Sequence, residues 1–138
     1  MQLAARIFFA ATIAAASIPA FSQGMEPGEW QMTTSMSSPM FPKPQSVTQT
    51  QCIRKGEGDD PNRLMGEQPS GCKVTVKQKS TDGYAWEMSC PKEGMRGSGS
   101  VRFTRDSMQG EVRMSGESGG QKFDMLTKMS GKRTGPCK

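Results

Sequence analysis

The sequence predicts an all-β fold: an antiparallel meander of about seven strands, curled into a sheet or partial barrel, with one short helical turn and two disulfides. Three observations predict it. Apolar and polar residues alternate with period two in successive segments, the signature of half-buried strands. Turn-forming residues separate those segments. Branched aliphatics are scarce, and four cysteines stand in for the core they would otherwise build.

The chain opens MQLAARIFFAATIAAASIPAFSQ, with one positive charge at Arg6, an apolar run from Ile7 to Ile18, and small residues at Ala20 and Ser22. This pattern predicts a secretory signal peptide over residues 1–22. The run is shorter than the roughly 20 apolar residues that span a bilayer, so no transmembrane segment is expected once it is cleaved. Cleavage after Ser22 leaves residues 23–138 as a single disulfide-stapled β domain. Without Arg6, the 18 basic residues become 17, against 13 acidic ones. The basic residues are scattered, apart from a small tail group at Lys128, Lys132, Arg133 and Lys138. A nucleic-acid binder would concentrate them with stacking aromatics, so no nucleic-acid partner is expected. The candidate partners are an envelope component or a small apolar ligand.

The mature region holds eight branched aliphatics, Val47, Ile53, Leu64, Val74, Val76, Val101, Val112 and Leu126, against eleven methionines. Its strands follow in order. Trp30, Met32, Thr34 and Met36 share one face of the first, and a second ends near Cys52. Cys72, Val74 and Val76 line the next, and Tyr84, Trp86, Met88 and Cys90 the one after it. Val101 with Phe103, then Met108, Val112 and Met114, then Phe123, Met125, Thr127 and Met129 mark the remaining strands. Turns are expected at Pro39 to Pro44, Thr81-Asp82-Gly83, Arg105-Asp106-Ser107 and Ser115 to Gly120. In DDPNRLM, Asp60 suits a helix N-cap, Pro61 the first helical position and Gly66 the stop. A calcium loop built on Glu57, Asp59, Asp60 and Asn62 competes with this turn. It fails because Pro61 occupies an alternate ligand position and no bidentate Glu follows at the required distance.

Cys52, Cys72, Cys90 and Cys137 contain no Cys-x-x-Cys pair, which argues against thioredoxin-type redox chemistry and paired zinc knuckles. The chain has no histidine, which weakens zinc further. Two structural disulfides are expected in an oxidising compartment. A three-residue hairpin loop at Thr81-Asp82-Gly83 would set Val76 opposite Met88 and Val74 opposite Cys90. Cys72 then lies diagonal to Cys90, roughly 7 to 8 Å away, beyond easy disulfide reach. The expected pairs are therefore Cys52–Cys72, at one end of consecutive strands, and Cys90–Cys137. The second pair requires the tail from Lys132 to Lys138 to fold back.

Catalytic look-alikes are few. GESGG, Gly116 to Gly120, has the G-x-S-x-G form, but Ser118 has no histidine to take its proton and sits between strands, so it reads as a hairpin turn. GMRGSGS, Gly94 to Ser100, lacks the helix and lysine of a phosphate loop and reads as a glycine-rich strand start. Glu87, Asp106, Glu111, Glu117 and Asp124 lie on or beside strands, with no pair singled out by spacing. No enzyme is expected, and no catalytic, cofactor or metal residues are assigned.

GEWQMTTSM, TQTQCI, DDPNRLM, GCKV, WEMSC, GSGS and the ending KMSGKRTGPCK together resemble, in that order, the bacterial exported family called domain of unknown function 3617. The likeness spans nearly the whole mature region and is most specific at the Gly-Lys-Arg-x-Gly-x-Cys ending. It implies an exported, periplasmic protein of a Gram-negative bacterium and carries no established activity. The expected function is a non-catalytic binding or structural module. A carrier of copper(I) or silver using thioethers and a carboxylate hydrolase are the alternatives.

Overall fold

A computed structural model describes residues 24–58 and 70–138. The expected signal peptide and the helical turn from Asp60 to Gly66 lie outside these residues. Seven strands form one antiparallel sheet: β1 (Gly28–Ser37), β2 (Gln45–Ile53), β3 (Lys73–Ser80), β4 (Gly83–Cys90), β5 (Met95–Phe103), β6 (Ser107–Ser118) and β7 (Gln121–Gly135). Among the described residues the one helical turn is a 3₁₀ turn at Pro91–Glu93. The all-β expectation holds, with an open, curled sheet.

The strand order is β2-β1-β7-β6-β5-β4-β3. Strands β3 to β7 form a continuous meander, and the β1–β2 hairpin joins it through β1 against β7. Strands β2 and β3, consecutive in the chain, therefore stand at opposite edges of the sheet. The tail does not fold back: β7 runs straight on to Gly135, pairing with β6 on one side and β1 on the other. The β6–β7 turn is also tighter than expected. Pairing continues to Ser118 opposite Gln121, leaving Gly119 and Gly120, both with φ positive at 60° and 79°, as a two-residue turn. Only a residue without Cβ takes that geometry at both positions without strain.

These differences overturn the expected disulfides. The bridges are Cys52–Cys137 and Cys72–Cys90, with Cα separations of 5.4 and 4.1 Å, and no free cysteine remains among the described residues. Cys52 cannot reach Cys72 because their strands occupy opposite edges, whereas the end of β7 passes beside the end of β2 through β1. The expected β3–β4 register is wrong by two residues. The turn holds two residues, Thr81 and Asp82, between Ser80 and Gly83, and Lys77 is an extra residue bulged out of β3 between Val76 and Gln78. Each feature shifts the pairing by one. Val76 thus faces Trp86, Val74 faces Met88, and Cys72 comes directly opposite Cys90.

One face of the sheet carries the core. Met25, Trp30, Met32, Ile53, Tyr84, Trp86, Val101, Phe103 and Met108 are buried, with Val74, Val112 and Met129 packed against them. Burying each such side chain contributes about 1.5–3 kcal/mol. Trp30 is fully buried, and its indole Nε1 donates a hydrogen bond to the Glu26 carbonyl at 3.0 Å. Tyr84 packs on Trp86 and Phe103 with ring centroids 5.5 and 6.4 Å apart.

Glycine and methionine interlock on this face. Gly99 pairs with Trp86, and a Cβ at Gly99 would overlap the indole ring. Gly131 pairs with Met32 and is covered by its sulfur. Met88 and Met114 reach over Gly97 from the two flanking strands, and Met129 reaches over Gly110. A straight thioether chain lies across such a gap more readily than a branched side chain does. That packing accounts for methionine in place of leucine at these positions.

Candidate functional site

Opposite the core lies a polar face built from the alternate residues of the same strands. Its serines and threonines leave low ground between long charged side chains. One row across the strands reads Lys73, Ser89, Arg96, Ser115 and Asp124, and the adjacent row Thr75, Glu87, Ser98 and Arg113. Together they line a shallow groove of about 560 Å³. A second groove of about 470 Å³ lies among Thr33, Ser35, Arg102, Glu111 and Lys128. A third, of about 690 Å³, sits beside the β3–β4 turn near Lys79, Asp82 and Arg102.

Charge on this face is partly neutralised. Lys77 pairs with Glu87 at 3.2 Å and Arg113 with Glu111 at 3.0 Å, both exposed. Among the described residues Lys73 and Arg96 make no ion pair. At the turn, the Ser80 hydroxyl donates to Asp82 Oδ1 at 2.7 Å. That hydrogen bond, reinforced by the Asp82 backbone and by Arg102, holds the Asp82 carboxyl below the usual aspartate range.

The five carboxylates on or beside the strands do not pair with one another. Glu87 faces Thr75 and Ser98, Glu111 faces Ser100 and Lys128, Asp124 faces Ser115, and Glu117 faces Lys122. Asp106 accepts a hydrogen bond from the Thr104 hydroxyl at 3.1 Å in the β5–β6 turn. No charged or polar side chain is buried among the described residues. Ser118 ends β6, exposed beside the Gly119–Gly120 turn, and in Gly94 to Ser100 only Gly94 precedes β5, Met95 to Ser100 forming its glycine-rich first part.

Among the described residues one group has metal-like proximity: the Cys72 and Cys90 sulfurs lie near Glu93, whose Oε2 is 3.5 Å from Cys72 Sγ. Both sulfurs belong to a disulfide, and a thiolate is the form that binds metal. The methionines nearest the start of the described residues differ in burial. Met25 and Met32 are 6% and 8% exposed, whereas Met36 and Met40 are 37% and 67% exposed. A thioether row does form, with Met88 and Met114 meeting over Gly97 and Met125 directly opposite Met114. Neither this row nor the Lys73, Arg96 and Arg113 group was singled out from the sequence. Alternation assigns each residue to a face, but which residues are neighbours depends on register.

The fold and the polar face define a small all-β protein of one open sheet with two disulfides and a grooved hydroxyl- and arginine-bearing surface. The chain belongs to the family described as protein of unknown function (DUF3617), whose model matches residues 25–137. No curated protein and no solved structure matches the chain.

Proposed function

We propose that the protein is an exported, periplasmic, non-catalytic binding module that holds an anionic envelope component on its polar face. The observation that carries this reading is the groove lined by Lys73, Arg96 and Arg113 with Ser89, Ser98 and Ser115, where three cations outnumber the two carboxylates Glu87 and Asp124. Cations that lack a full set of partners, set among hydroxyl donors, suit a phosphate- or carboxylate-bearing ligand. The disulfides support export, since such bonds persist in oxidising compartments. Against a hydrolase stands the register, which sets Glu87, Glu111, Glu117 and Asp124 opposite hydroxyls or lysines rather than a second carboxylate.

Co-sedimentation of the oxidised protein with isolated cell-envelope fragments tests the reading. Binding is expected at low ionic strength, weaker as salt screens the contact, and lost in the double variant Arg96→Glu/Arg113→Glu. Binding indifferent to both salt and that variant would refute the groove. Labelling of Ser118 by a fluorophosphonate probe would refute the non-catalytic assignment.

A second reading rests on the row of Met88, Met114 and Met125, three soft ligands suited to copper(I). It predicts copper(I) retention against a chromophoric chelator.

A further inference from the structure

The two edges of the sheet are treated differently. Strand β3 carries Lys73, Lys77 and Lys79 and is bulged at Lys77. Edge lysines and bulges are the usual means of preventing an exposed strand from pairing with another chain. Strand β2, QSVTQTQCI, has none of these protections: it contains no charged residue and no proline, and it pairs with β1 over nine consecutive residues without a register shift. Every β2 side chain except Ile53 is exposed. Among the described residues no strand pairs with its outer edge.

Two further observations point the same way. Of the five large apolar residues exposed on the described surface, four, Met36, Met40, Phe41 and Val47, belong to the β1–β2 hairpin. The edge is also held at both ends, by the hairpin at Gln45 and by the Cys52–Cys137 bridge beside Ile53. A strand already fixed in extended form loses little freedom on pairing.

From these features we infer that two copies of the chain join through their β2 edges, antiparallel about a two-fold axis at Gln49 and normal to the sheet. This register sets Val47 against Gln51, Thr48 against Thr50, and Ser46 against Cys52 of the other copy. No charges meet, and Thr–Thr pairs across antiparallel strands are favourable. Because the axis is normal to the sheet, the core-bearing faces of both copies lie on the same side and the sheet continues through fourteen strands, twice the seven of one copy. The same operation at β3 would bring lysines of the two copies together, which is unfavourable. Pairing β2 with β3 would leave free edges and grow without closing, and the β3 lysines and bulge oppose it. The β2 pairing is self-complementary and closed.

The inference does not depend on the polar groove, and one set of samples separates the two. Sedimentation equilibrium of the oxidised protein, from micromolar to near-millimolar concentration, is expected to show a monomer–dimer equilibrium. Thr48→Lys/Thr50→Lys should weaken dimerisation by about tenfold or more with unchanged far-ultraviolet circular dichroism, while Arg96→Glu/Arg113→Glu should leave it intact. If the double lysine variant fails to fold, Gln49→Lys alone, on an exposed position at the axis, provides the same comparison. Amide hydrogen exchange should show β2 protection rising with protein concentration and β3 protection unchanged. A chain that stays monomeric throughout, or a dimer unaffected by the β2 lysines, would overturn the inference. So would β2 protection that appears only when an extended peptide is added, since that would make the occupant another polypeptide.

Discussion

Cys72 stands directly across the β3–β4 hairpin from Cys90, their Cα atoms 4.1 Å apart, because the Lys77 bulge and a two-residue turn together move the pairing by two positions. The other bridge, Cys52–Cys137, closes a far longer loop, with a sequence separation of 85 against 18. In the chain-entropy model the two bridges contribute about 4.5 and about 3 kcal/mol respectively. Non-reducing peptide mapping should recover these two linkages and no free thiol. Cys52→Ser/Cys137→Ser should lower the unfolding free energy more than Cys72→Ser/Cys90→Ser, and the reverse order in urea titration would refute the loop-length argument.

Deleting Lys77 should preserve both disulfides. Val76 already faces Trp86 and Gln78 already faces Ala85, so removing the bulged residue leaves every other pairing in place. The exposed Lys77–Glu87 ion pair is lost, a change of about 0–1 kcal/mol. Free thiols in the deletion variant, measured under denaturing conditions, would show that the register depends on the bulge.

Gly99 and Gly131 are predicted to differ in their tolerance of alanine. A Cβ at Gly99 runs into the Trp86 ring, which is rigid and buried, whereas one at Gly131 meets the Met32 sulfur. Overpacking of a rigid site typically costs about 1–3 kcal/mol, and a flexible thioether gives way more cheaply. Thermal unfolding should place Gly99→Ala well below Gly131→Ala in stability, with Trp86→Leu partly rescuing the former.

Replacing Met32, Met36, Met125 and Met129 with leucine should retain the fold, each swap costing under about 1.5 kcal/mol. Met36, the most exposed of the four, should cost least. The companion variant Met88→Leu/Met114→Leu/Met125→Leu isolates the thioether row. Copper(I) bound tightly by the wild type and lost in this variant, with circular dichroism preserved, would establish the carrier reading over packing.

Asp82 should titrate below the usual aspartate range, and Ser80→Ala should raise its pKa by removing the largest cause of the shift. A carboxylate whose folded pKa is depressed stabilises the fold above its unfolded pKa. That contribution is lost as pH falls through the lower, folded value. Carboxyl carbon shifts followed by NMR against pH would show both effects, and an unchanged Asp82 titration in Ser80→Ala would refute the assigned cause.

The amino-acid sequence by itself determined the class of the fold and the face of nearly every strand residue, because alternation is a local property that survives any register shift of two. Trp30 and Met32, Tyr84 and Trp86, Val101 and Phe103 all lie on the core side, where their spacing puts them. The same parity hid the β3–β4 register: an error of two leaves Val74, Val76 and Cys72 on the correct face while moving Cys72 from beside Cys90 to a diagonal. Only the tertiary structure decided that β1 pairs with β7, that β2 and β3 become opposite edges, and that Cys52 therefore meets Cys137. Those choices are long-range pairings between backbones, and no local pattern in either strand encodes which partner it will find. The grouping of Lys73, Arg96 and Arg113 on one face and of Met88, Met114 and Met125 on the other follows from the same pairings. The methionines form one row across the strands and the cations span two adjacent rows, both set by register rather than by sequence spacing.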